Sequence, residues 1–345
     1  MTIEANSLKV GVSGLGRMGL RHVEVVAGLG MQVMGLADIN PDAIETAREE
    51  FGLAQAQGFT DPLAMIAQVP LDALVIAKTA PYHAEAVFAA AEAGVKLILC
   101  EKAMGISIAE CEAMIAACKA RGVKLAINHQ MRFMEQNIVV KELAASAELG
   151  GMTSMALACG NIGLAMNGSH YFEMFRYLTN APIDRVSAWF EAERLPNPRG
   201  AQFDDASGRV MGFSKDGRSI FMDFSARAGW GVLMTFICRN GQIQLDSLLG
   251  DMVVKVREAE YRDLPTSRYG MPVTTTASQV LASDSTGPTR DVWLAMLEGR
   301  DYPTGEDGLH AIKCLVAAHM SHERNGAAVS LEETAACHDR IFNWA

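Results

Sequence analysis

Three glycines at fixed spacing mark where this chain can do chemistry. Gly14, Gly16 and Gly19 give a G-x-G-x-x-G run within Gly14-Leu15-Gly16-Arg17-Met18-Gly19. The first glycine permits a tight turn, the second lets a pyrophosphate approach the backbone, and the third lets a following helix pack closely on the preceding strand. The start of that helix offers free N–H groups and a partial positive charge to phosphates. Asp38 follows at the distance where a carboxylate accepts hydrogen bonds from ribose hydroxyls. Further on, Glu101-Lys102 closes an apolar run, and a lysine there would face a cofactor crevice. His170 and Glu173 sit three apart and share one helix face.

The elements around these residues alternate. Leu8 to Val12 reads as a buried strand, Arg17 to Leu29 as a helix, and Met31 to Ala37 as a second strand that ends at Asp38. Asn40-Pro41 opens a helix as cap and first turn. Ala73 to Ile76, Lys96 to Cys100 and Lys124 to Ile127 are further buried strands, and Ser107 with Glu110 forms a capping box between the last two. Such β/α alternation predicts an α/β fold with an N-terminal Rossmann, doubly wound parallel sheet. Ligands of such sheets sit at the carboxyl ends of the strands, and Asp38, Thr79, Glu101-Lys102 and Asn128 all fall there.

Past Asn128 the pattern changes. Glu135 to Leu149 reads as a helix, Met152 to Cys159 as a strand, and Asn167 to Glu173 opens a second helix. Ile220, Met222 and Phe224, then Val232, Met234, Phe236 and Cys238, recur with period two. Asn240-Gly241 predicts a hairpin with positive φ, and Asp216-Gly217 a second one. This half reads as a C-terminal α+β domain with a large, mostly antiparallel sheet. The domains expected are 1–127, binding a dinucleotide, and 128–345. Arg194 to Asp204 is a long turn-rich loop with two arginines, of the kind that is often functional.

Composition narrows the classes. The 345 residues carry a net charge of −10 without a basic run, which argues against nucleic-acid or anionic-membrane binding. Seven dispersed cysteines without a C-x-x-C suggest reduced thiols in a cytoplasm, and neither they nor the eight histidines show metal-ligand spacing. Residues 1–7 lack a signal peptide's apolar core, and no apolar stretch is long enough to span a bilayer.

The chain resembles the Gfo/Idh/MocA oxidoreductases, the glucose-fructose oxidoreductase and inositol dehydrogenase family. The resemblance rests on the glycine run, Ala37-Asp38, Thr79-Ala80-Pro81 with His83, Cys100-Glu101-Lys102, Asn128 to Phe133, Gly168-Ser169-His170 and Thr304 to Gly308, in the family's order. It implies hydride transfer between NAD and a hydroxyl or carbonyl of a sugar, sugar derivative or polyol. It also implies NAD(P) binding by domain 1–127, and substrate binding and subunit pairing by domain 128–345. The cofactor would be held by residues 14–19, Asp38, Thr79, His83, Glu101, Lys102 and Asn128. Lys102 would hold the reacting oxygen, and His170 would act on the substrate opposite it. Which of the two accepts the proton stays open. Glu173 or Asn167 would orient the imidazole. Asn128 and Arg132 would shape the nicotinamide pocket or hold substrate. The antiparallel sheet would pair subunits into a homodimer or homotetramer. Three departures stand out: Ala103 replaces the proline that normally follows the lysine, Met166 an aspartate, and Glu173 another aspartate. Asp38 followed by Ile39-Asn40, without an arginine, favours NAD over NADP. Two alternatives share the fold: an NAD-using glycosidase and a non-catalytic sensor of cofactor or sugar.

Overall fold

The computed structural model describes residues 4–160, 162–193, 196–229, 231–265 and 271–344. The chain forms two compact units. One takes Met1–Phe133, Ser285–Ile312 and Cys337–Ala345, and the other Met134–Asp284 and Lys313–Ala336.

The first unit begins β1 (Lys9–Ser13), α1 (Arg17–Gly28), β2 (Gln32–Ala37), α2 (Pro41–Phe51), β3 (Gln57–Phe59), α3 (Pro62–Gln68), β4 (Ala73–Ile76), α4 (His83–Glu92), β5 (Leu97–Cys100), α5 (Ile108–Ala120) and β6 (Lys124–Ile127). Its six strands pair in parallel in the order β3-β2-β1-β4-β5-β6. The order reverses between β1 and β4, and a doubly wound sheet opens its ligand crevice at such a switch point. β4 and β5 are buried at every residue, as strands covered on both faces must be. Asn40 and Ser107 cap α2 and α5 as expected, accepting from Asp42 N and Glu110 N at 3.1 Å each.

A single cut after residue 127 does not describe these units. Later in the chain, Val292, Trp293, Met296 and Leu297 are buried in the same core as Val10, Val12 and Val23. This apolar face has its burial only there, so residues 285–312 fold with the first sheet.

The second unit contains α6 (Glu135–Ala145), β7 (Met152–Gly160), α7 (Ser169–Thr179), β8 (Ile183–Phe190), β9 (Gly208–Ser214), β10 (Ser219–Ser225), β11 (Val232–Cys238), β12 (Gly241–Asp246), β13 (Asp251–Arg257) and β14 (Val273–Gln279). After them come α8 (Thr286–Glu298) of the first unit, α9 (Gly305–Glu323) and β15 (Val329–Ser330). Nine strands run β14-β13-β12-β11-β7-β10-β9-β8-β15, antiparallel except for β7 with β10. Ile220, Met222, Phe224, Met234 and Phe236 face the core. On the opposite face Trp189, Phe221, Leu233 and Ile237 are exposed.

One expected turn takes another form. Cys238 pairs with Gly241, so the two loop residues are Arg239 and Asn240. Neither Asn240 nor Gly241 has positive φ. Gly241 is required for space instead: a Cβ there would lie 2.0 Å from the Lys255 carbonyl oxygen. The turn at Asp216-Gly217 does use a glycine at φ 90°. Within the loop 194–204, Arg194 and Leu195 lie outside the described residues.

Candidate active site

The glycine run joins β1 to α1 at the switch point. Gly14 has φ 88°, and a Cβ on it would come within 2.5 Å of the Ala77 carbonyl oxygen. A Cβ on Gly19 would sit 1.9 Å from the Gly14 carbonyl oxygen. The chain's own packing demands both. Gly16 differs: no atom lies within 4 Å of its would-be Cβ. It is exposed, and it caps α1 without a side-chain hydrogen bond. Space at Gly16 beside an uncapped helix start fits a pyrophosphate. Asp38 stands at the end of β2, its carboxylate accepting from Leu15 N at 2.6 Å and Asn40 N at 2.9 Å. The acid is thereby fixed against the glycine turn.

Glu101-Lys102 follows β5, and both residues are buried. Glu101 Oε1 lies 2.8 Å from His22 Nε2 on α1 and accepts from Asn128 Nδ2 at 2.8 Å. Asn128 Nδ2 also lies 3.4 Å from Thr289 Oγ1 on α8. Burial pushes the Glu101 carboxyl up, but the His22 hydrogen bond, the Lys102 charge and the Asn128 amide outweigh it and hold the group far below the usual carboxylate range. Glu101 is therefore an anion that ties α1, β5, β6 and α8 together immediately before Lys102. Four elements distant in sequence fix the backbone from which the lysine projects.

His83 is fully buried, with Nδ1 3.2 Å from the Met104 carbonyl oxygen and Nε2 2.9 Å from that of Lys78. Burial lowers its pKa, so the ring is neutral and donates to one of the two carbonyls. It joins the loops after β4 and β5. Thr79 starts the short turn before α4 and is half-buried. Arg132 lies between two carboxylates. Its Nη1 lies 3.0 Å from Asp301 Oδ2 and its Nη2 3.4 Å from Asp307 Oδ2, with the side chain 1% exposed. A buried guanidinium paired this way fastens residues 301–307 to the end of β6.

In the second unit, a π-helical turn, Leu164–Gly168, runs directly into α7. Asp205 caps it: Oδ1 accepts from Ala165 N at 2.6 Å and Oδ2 from Met166 N at 2.8 Å. The Asn167 amide donates to the Ile162 carbonyl, and Ser169 Oγ donates to Ala165 O at 3.1 Å. His170 thus sits in the first turn of α7, nearly buried. Glu173, one turn on, is fully buried and accepts from Arg176 Nη2 at 3.2 Å.

His22, Thr289 and Asp205 have structural parts in this arrangement that the sequence reading missed. His22 had a signal, since it stands three residues after Gly19 on the same helix face. Asp205 and Thr289 had none, being remote in sequence from what they hold. Among the described residues, no group of three or more His, Cys, Asp or Glu is gathered to hold a metal.

Residues 8–129 match an oxidoreductase family described by its NAD-binding Rossmann fold. Myo-inositol 2-dehydrogenase of Thermotoga maritima is 26% identical over 196 residues, covering 52% of this chain and 58% of that protein. Inositol 2-dehydrogenase 1 of Saccharopolyspora erythraea is 27% identical over 273 residues, 74% of this chain and 78% of the relative. The structure of scyllo-inositol dehydrogenase from Lactobacillus casei, with NAD(H) and scyllo-inositol bound, aligns with a TM-score of 0.72. That alignment covers 94% of this chain and 99% of the other at 19% identity, and it shows a shared fold.

Proposed function

We propose that this chain, which belongs to the Gfo/Idh/MocA oxidoreductases with their NAD-binding Rossmann domain, moves a hydride between NAD and a CH–OH carbon of a sugar, sugar derivative or polyol. The observation that carries the proposal is the buried Glu101, held by His22 and Asn128, which fixes Lys102 at a strand end of the sheet whose switch point bears the glycine turn. The inositol dehydrogenases among its relatives support a polyhydroxylated substrate.

The open side of Gly16 and the α1 N-terminus would hold the pyrophosphate, and Asp38 the adenosine ribose. A 2′-phosphate there would meet the Asp38 carboxylate, with only Ile39 and Asn40 after it, so NAD is preferred to NADP. When bound, the nicotinamide supplies the hydride acceptor. Lys102, as ammonium, donates a hydrogen bond to the substrate oxygen and stabilises developing alkoxide charge. The hydroxyl proton goes to His170 where Lys102 stays an ammonium, or to Lys102 where it enters as the neutral amine. Glu173 orients His170.

The exposed face bearing Trp189, Phe221, Leu233 and Ile237 supports a homo-oligomer. Light scattering at micromolar concentration should show a dimer or tetramer. No helix among the described residues is long and apolar enough to cross a membrane. Seven unpaired cysteines, six of them buried, support a reducing, cytoplasmic setting. The test of function is incubation with NAD+ and a panel of inositols, aldoses and sugar alcohols while following absorbance of the reduced cofactor. Accumulating NADH supports the dehydrogenase. Aglycone release from glycosides without net NADH would replace it with the glycosidase reading.

A further inference from the structure

The loop after Lys102 has a second brace, from a part of the chain that the reaction does not otherwise use. Residues 103–107 join β5 to α5. Ala103 and Met104 are buried at 0% and 1% exposure. At Gly105 a Cβ would meet Glu110 Oε2 at 2.6 Å and Cys111 Sγ at 2.9 Å. Three successive carbonyls of this loop face polar groups from elsewhere. Met104 O faces His83 Nδ1 at 3.2 Å, Gly105 O accepts from Trp344 Nε1 at 2.8 Å, and Ile106 O accepts from Phe342 N at 2.9 Å. The two fixed donors among these, Trp344 Nε1 and Phe342 N, lie in one short segment, 338–344.

That segment is itself anchored. His338 O accepts from Ala109 N at 3.0 Å at the start of α5, and His338 Nε2 lies 3.3 Å from Glu112 Oε2. The rings of Phe342 and Trp344 stack 4.6 Å apart at 8°, and Trp344 is 1% exposed. A buried indole N–H needs an acceptor, and here it takes a loop carbonyl three residues beyond Lys102. Ala103 has no ring to fix its φ, as a proline would, so this stretch is restrained by partners and not by its own residue types.

We infer that segment 338–344 is a strap that positions Lys102, with Trp344 as its positioning residue. The inference rests on the reading of Lys102 as the group that holds the reacting oxygen. Loss of the indole N–H leaves the Gly105 carbonyl without its donor, and the turn that carries the lysine gains freedom.

The test is competitive labelling of lysines with acetic anhydride over a pH series in the NADH-bound protein, read by peptide mass spectrometry. Trp344→Phe keeps the ring and removes the donor. The expected result is a rise of about fivefold in Lys102 labelling, the weight of one ordinary hydrogen bond, with a displaced pH midpoint. Lys96 and Lys124, which flank strands of the same sheet, should not change. Phe342→Leu, which keeps the backbone donor but loses the stacked ring, should move Lys102 in the same direction by less. Unchanged Lys102 labelling in both variants, or an equal rise at all three lysines, overturns the strap. Labelling needs no substrate, so it is decided separately from the dehydrogenase reading. With a polyol that turns over, kcat of Trp344→Phe should fall about fivefold at unchanged NADH affinity.

Discussion

Lys102 and His170 are presented by opposite means. The backbone around Lys102 is held by groups from across the first unit: His22, Asn128, His83, Phe342 and Trp344. The turn before His170 is held by its own neighbours, Ile162, Ala165 and Ser169, and by one further segment, through the Asp205 carboxylate and the Ala206 carbonyl, which accepts from Leu164 N at 3.0 Å. The groups around Lys102 therefore come from across the first unit, whereas those on the turn before His170 come from that turn and the segment 205–206. Damage to a brace should spread widely in the first case and stay local in the second.

The largest effects should fall on turnover, and there the two regions should look alike. Lys102→Met and His170→Ala should each lower kcat by about 10²–10⁴ while NADH binds near normally. Steady-state kinetics with calorimetric titration of NADH checks this. Near wild-type turnover in both would remove the assigned roles.

The next effect should separate the regions. Glu101→Gln strips a buried anion from His22 and Lys102, and should cost about 3–5 kcal/mol of unfolding free energy. The pH dependence has a defined sign. The folded Glu101 has a depressed pKa, so its stabilisation is present above the unfolded value of ~4.3 and is lost as pH falls below it. Denaturant melts at neutral pH and near pH 4 should show wild type losing stability on acidification and Glu101→Gln losing less.

Cofactor choice comes third. Asp38→Ser removes the carboxylate that accepts from Leu15 and Asn40, and should weaken NADH about tenfold while narrowing its advantage over NADPH. Equal affinity of the wild-type protein for the two cofactors would contradict the role of Asp38.

The smallest effect belongs to the second unit. Asp205→Ala removes one cap and should cost about 1 kcal/mol, with His170 still able to act and kcat reduced less than tenfold. A loss as large as that of Glu101→Gln would erase the contrast between the two regions.

The same contrast explains what the sequence could and could not reveal. The glycine turn, the parallel strands, and the strand ends and helix start that carry Asp38, Lys102 and His170 were legible because each depends on local spacing: a turn, a strand end, a helix face. The contacts of His83 and Arg132 were not legible, because their partners, Lys78, Met104, Asp301 and Asp307, are set by folding and not by neighbouring residues. The return of α8 to the first core was hidden for a related reason. Trp293 reads as apolar on any helix, and nothing near it names the core that buries it. Asn240-Gly241 misled in the other direction, since a glycine needed for an adjacent strand resembles one needed for a turn.

The central claim is hydride transfer from a substrate carbon, and isotope tracing tests it most directly. A polyol that turns over, deuterated at the reacting carbon, is incubated with NAD+ and the wild-type protein, and the reduced nicotinamide is analysed by mass spectrometry. The expected result is one deuterium on the nicotinamide for each carbonyl formed, with the same transfer at a much lower rate in Lys102→Met. Deuterium appearing in the solvent instead, with none on the nicotinamide, would contradict the account.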